Sequence, residues 1–132
     1  MSRKVFLTVA SLIALGVGGF ALAAPAAVLG SKGVLSSPAE VWTREVGVLL
    51  IALGVMAFAV RSHAASSTLR VLMFGNAIVQ LGLLPIEILA YQGGVITNVA
   101  GIIPNSIVHA LLATGFLYFA VTMRPPAPQA AD

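Results

Sequence analysis

The chain has 132 residues, of which 59% are hydrophobic and 8% charged, with seven Lys/Arg, four Asp/Glu and no cysteine. Soluble domains carry about a quarter charged residues, so this composition points to the bilayer as solvent. The missing cysteines exclude thiol nucleophiles, disulfides and thiolate-bound metals, and the scattered cations form no basic patch with interleaved aromatics, so no nucleic-acid partner is expected.

Four apolar stretches follow one another, over residues 5–24, 42–60, 69–91 and 103–123. Each is about 20 residues long, enough at 1.5 Å per residue to cross a ~30 Å hydrocarbon core. None alternates inside and outside as a barrel strand does, and none has the polar face of a soluble bundle helix. The fold class predicted is all-α: an integral membrane antiparallel four-helix bundle, one domain over residues 1–132.

Arg3 and Lys4 precede the first span. With Ala21-Leu22-Ala23 downstream they resemble a signal peptide, but the apolar run exceeds the usual core of about 7–15 residues, so it is expected to stay uncleaved. Gly16, Gly18 and Gly19 sit mid-helix, where small residues let another helix approach closely. Residues 25–41 read as a loop. Ser37, Pro38 and Glu40 form a capping signal there, which predicts a short surface helix over residues 38–43 leading into the second span. Trp42 suits the water–lipid interface.

Gly47 and Gly54 are seven residues apart in the second span, as are Gly75 and Gly82 in the third, so each pair offers its helix a groove for close packing. The short connection over residues 61–70 predicts that the second and third spans are antiparallel neighbours. The connection over residues 92–104 carries no charge, and the proline-rich residues 124–132 are expected to be extended or disordered. Five cations, Arg3, Lys4, Arg61, Arg70 and Arg124, fall on one side, against Lys32 and Arg44 on the other. That asymmetry predicts both termini in the cytoplasm, and the membrane expected is a bacterial inner membrane.

On that topology the polar residues converge. Asn76, Gln80 and Glu87 share one face of the third span, because offsets of four, seven and eleven nearly superpose at 100° per residue. Arg44 and Glu45 open the second span, while Asn105 and His109 lie one above the other in the first turns of the fourth. All belong to the outer half of the bilayer. A charged side chain near a helix centre costs about 2.5–3.5 kcal/mol on insertion scales, so Glu87 invites an explanation. Pro85, two residues before it, frees the carbonyl of Leu81 and so predicts a kink. The candidate ligand-binding residues are therefore Glu87, His109, Asn105, Glu45, Arg44, Gln80 and Asn76, in a pocket open to the outside and floored by Gln80 and Asn76. Arg44–Glu45 also fits an interfacial anchor, and Asn76 and Gln80 fit interhelical hydrogen-bond glue.

Three functions fit this pattern. The first is binding of a lipid-like or small amphiphilic ligand, or service as an accessory subunit, with membrane lipids, a homodimer or a larger membrane complex as partners and no cofactor or metal. The second is a proton- or cation-coupled transporter, which with four spans needs a dimer. The third is an intramembrane enzyme using Glu45, Glu87 and His109, disfavoured by the lack of an E-x-x-H or H-E-x-x-H repeat. In layout, with Gly16-Val17-Gly18-Gly19 and Pro25 in and after the first span, Trp42-Thr43-Arg44-Glu45-Val46-Gly47 opening the second and Asn105-Ser106-Ile107-Val108-His109 opening the fourth, the chain resembles small bacterial four-span proteins grouped as DoxX-like. That resemblance implies a four-helix bundle.

Overall fold

Three of the four long helices start on a serine whose hydroxyl oxygen accepts from a first-turn amide, one of the donors that a helix leaves unpaired. In the computed structural model, which describes residues 1–124, Ser2 caps α1 (Arg3–Ala23), Ser36 caps α3 (Ser37–Val60) and Ser66 caps α4 (Ser67–Gln92). Between α1 and α3 lies a short helix, α2 (Pro25–Ser31), and a 3-10 turn at Val99–Gly101 leads into α5 (Ile103–Thr122). All regular structure among the described residues is helical, and four helices are long and apolar enough to cross a membrane. The chain is a multi-pass membrane protein. The tail expected to be extended lies, beyond Arg124, outside the described residues.

Several boundaries differ from the sequence expectation. Residues 25–31 are helical rather than loop, because Ala24 turns the chain out of α1 (φ −136°) and Pro25 starts a new helix at its first position. The serine that caps the second span is Ser36, one residue before the expected Ser37, and no separate surface helix precedes it: α3 runs unbroken from Ser37. Apolar content alone misses this start, since Ser37 to Val41 are only weakly apolar. Pro85 lies inside α4, which continues through it to Gln92.

The bundle is two helix pairs. Between α1 and α3 the backbones nearly touch: a Cβ on Gly18 would stand 2.7 Å from the carbonyl oxygen of Gly47, and one on Gly47 would stand 2.8 Å from that of Gly18. Lower on the same seam the hydroxyl of Ser11, fully buried, donates to the carbonyl of Gly54 at 2.8 Å. Gly18, Gly47 and Gly54 thus let the helices close, whereas Gly16, Gly19, Gly75 and Gly82 face open space. The groove predicted along Gly75 and Gly82 is not used among the described residues.

The second pair is α4 with α5. The two pairs join at the end of the bundle that carries the start of α1 and the finish of α5, called here the terminal end. Phe6 packs edge-on against Phe116, with ring centroids 4.9 Å apart, and Leu7, Met73 and Ala120 fill the core around it. α3 and α4, joined by a short loop and expected to be neighbours, scarcely touch. The loop sets their antiparallel direction, but α3 is captured by the glycine seam with α1 and α4 by its contacts with α5.

At the opposite, loop end the pairs are clasped by backbone. The carbonyl of Lys32 accepts from the amides of Thr97 and Asn98, both at 3.1 Å, and the Asn98 side chain donates to the carbonyl of Ser31 at 2.9 Å. Gly33 adopts φ +72° beneath Thr97, and a Cβ on Gly101 would collide with the Ser31 carbonyl, so both glycines are required by the crossing.

Candidate functional site

The bundle is joined at its two ends and parted in between. The gap is a cavity of about 440 Å³ lined by α1, α2, α3, α4 and α5. Its walls are mostly small or aliphatic: Ala14 and Val17 from α1, Val46 and Leu50 from α3, Leu83 from α4 and Leu112 from α5. Among the described residues α3 and α4 have too few contacts to close the side between them, where Trp42 and Val46 line the cavity yet remain 67% and 49% exposed.

α4 supplies the polar pole because its amphipathicity is inverted. Asn76, Gln80 and Glu87 are 7%, 6% and 7% exposed, while Val71 and Ile78 on other faces are 69% and 71% exposed. In lipid the apolar side chains belong outside and the polar ones find partners within the protein.

Glu87 is held by three donors. Oε1 accepts from the Asn105 side-chain amide at 2.8 Å and from the Lys32 ammonium, and Oε2 accepts from the Ser106 hydroxyl at 3.4 Å. Asn105 and Ser106 lie in the first turn of α5, whose unpaired amides add positive potential favouring a carboxylate. The buried acid is thereby ion-paired and hydrogen-bonded, the condition under which a charge is tolerated away from water.

The network runs inward through His109. Because the carboxylate faces the Asn105 NH2 group, that nitrogen is the donor, and it also donates to His109 Nε2 at 3.0 Å. Nε2 must then be the unprotonated nitrogen, so Nδ1 carries the hydrogen and donates to Gln80 Oε1 at 2.5 Å. Lys32, Glu87, Asn105, His109 and Gln80 form one chain of hydrogen bonds across the α2–α3 connection, α4 and α5. Asn76 lines the same cavity, but its amide donates to Leu72 on its own helix at 2.9 Å.

Of the seven candidate residues, Glu87, His109, Asn105, Gln80 and Asn76 come together on this cavity. Arg44 and Glu45 do not: both are exposed on α3, and Arg44 stands 3.7 Å from the carboxylate of Glu40 one turn earlier. They are spaced as surface residues of a helix start, the anchor arrangement noted above. Sequence reasoning missed Lys32 and Ser106. The one signal for Lys32 was charge: it and Arg44 are the only cations on the side of the chain that carries Glu87. Among the described residues no three His, Asp or Glu side chains are grouped so as to hold a metal ion. Glu87 and His109 are linked through Asn105; His109 is bonded on both ring nitrogens by side-chain amides and Glu87 by an amide, a hydroxyl and the Lys32 ammonium, an arrangement suited to holding a polar group in place.

No protein-family model, no curated protein and no solved structure matches the chain significantly, so its function is read from this site.

Proposed function

We propose that this protein binds a small, lipid-like amphiphile in the bilayer, its apolar part in the cavity and its head group at the Glu87–Asn105–His109 pole. The observation that carries the reading is the pairing of a cavity of about 440 Å³, within the size of small-molecule sites, with a single cluster of fixed polar groups on otherwise mostly apolar walls. The gap between α3 and α4 gives a membrane-dissolved molecule a lateral way in. We further propose a bacterial inner-membrane location with both termini in the cytoplasm. The orientation is supported by Arg3, Lys4, Arg61, Arg70 and Arg124 at the terminal end, where no acid stands among the described residues. Kinship with the DoxX-like proteins, resting on the three short motifs, is part of the same proposal.

The sequence contains a single tryptophan, and it lines the cavity. In phosphatidylcholine vesicles, bromododecanol should quench Trp42 with a saturable component above the linear quenching caused by probe in bulk lipid. Ala14→Phe, which fills the cavity from α1, should remove the saturable component and leave the linear one. Purely linear quenching in the unaltered protein would refute the reading.

A further inference from the structure

The amphiphile-binding reading leaves the head group open, and the Lys32–Glu87 ion pair on the cavity lining addresses it. Glu87 and Lys32 are held very differently. The carboxylate is fixed by Asn105 and Ser106, both on the rigid first turn of α5, and would stay in place without the lysine. Among the described residues the ammonium has one partner, Glu87, and reaches it on a flexible stem from the connection after α2. Its side chain is 21% exposed, so water has access to the pair. The backbone of Lys32 is anchored separately, its carbonyl accepting from Thr97 and Asn98. The side chain can therefore swing to solvent without disturbing the clasp.

Once the ammonium leaves, what faces the cavity is mostly acceptor, the Gln80 NH2 group, for which no partner stands among the described residues, being the donor that remains. Glu87 is an anion held in position. Asn76 and Asn105 spend their NH2 groups on Leu72, Glu87 and His109, which leaves their carbonyl oxygens to point elsewhere. Trp42, on α3, lines the same cavity, and an indole π face attracts a cation. An anionic head would meet the Glu87 carboxylate, and a neutral head would leave that carboxylate short of a counter-charge in a poorly solvated place. A cation replaces what the lysine supplied.

We propose that the ligand is a cationic amphiphile, an alkyl amine or alkylammonium whose charged head takes the place of the Lys32 ammonium at Glu87. Lys32 is then a built-in competitor that neutralises the acid when the cavity holds no ligand and swings outward when it does. The inference rests on the amphiphile-binding reading, and its test separates the two.

Quenching of Trp42 in phosphatidylcholine vesicles is measured with three probes of one chain length: bromododecyltrimethylammonium, bromododecanol and bromododecanoate. The ammonium should saturate at about tenfold lower concentration than the alcohol, and Lys32→Met should tighten the ammonium by about a further tenfold, since removing an intramolecular competitor raises the competent fraction. Glu87→Gln should erase the preference for the ammonium, bringing the half-saturation concentrations of the ammonium and the alcohol to within about twofold of each other. The gain in Lys32→Met cannot arise from misfolding, and a helical circular-dichroism spectrum with a cooperative thermal transition in detergent reports that Glu87→Gln still folds. Equal binding of ammonium and alcohol, or tightest binding of the carboxylate, overturns the cationic head group and leaves the amphiphile reading standing. Absence of saturable quenching by all three probes overturns both.

Discussion

His109 ties α5 to α4, since its ring accepts from Asn105 and donates to Gln80. Replacing it with phenylalanine leaves Gln80 and Asn105 each one partner short inside the bundle. His109→Phe should lower stability by about 0.5–2 kcal/mol, read as a drop in thermal unfolding temperature in detergent. Asn76 looks similar in sequence but bonds within its own helix, to Leu72. Asn76→Leu should therefore stay within about 0.5 kcal/mol of the unaltered protein. Equal losses for the two variants would mean that the interhelical network adds nothing. The sequence made both residues candidates, because each is a polar side chain in an apolar run. It could not distinguish them, because that depends on which carbonyl or ring stands opposite, and the opposing residue lies on another helix.

At the scale of the helix, glycine decides who packs with whom. Gly47 and Gly75 occupy the same kind of position in the sequence, each followed seven residues later by a second glycine. Only Gly47 is spent on a close approach, with Gly18. Gly47→Ala should cost about 1–3 kcal/mol through forced separation of α1 and α3. Gly75→Ala meets nothing and should gain up to about 1 kcal/mol from helix propensity. Thermal unfolding of the two variants side by side checks the assignment, and a loss at Gly75 as large as that at Gly47 would contradict it. The same selectivity explains why α3 and α4 part company despite their short connection. Loop length limits how far apart two helix ends lie, while the contacts along their lengths are chosen by shape.

For the molecule as a whole, the distribution of charge bears on orientation. Arg61 donates to the carbonyl of Phe58 at 2.6 Å and stacks on its ring at 3.5 Å, and Arg3 donates to the carbonyl of His63, so the cations of the terminal end lie back on the bundle rim. The chain has no cysteine, which makes single-cysteine labelling clean. In intact bacterial cells, a membrane-impermeant maleimide should modify Gly30→Cys at the loop end and leave Ser62→Cys untouched until the membrane is permeabilised. The reverse pattern would invert the proposed topology.

The sequence by itself determined that there are four spans, their order and antiparallel sense, and the polar face of α4. Those properties follow from hydropathy, helical period and the need for every buried backbone group to bond within its own helix. Tertiary structure alone decided that the spans pair first with second and third with fourth, that a cavity is left between the pairs, and that Lys32 reaches Glu87 while Arg44 and Glu45 stay outside. Each of these is a relation between residues far apart in the chain. Lys32 and Glu87 are separated by 55 positions, and the contact exists because the α2–α3 and α4–α5 connections cross and hydrogen-bond above the cavity. Helical period places a side chain on a face of its own helix, but only packing determines what that face meets.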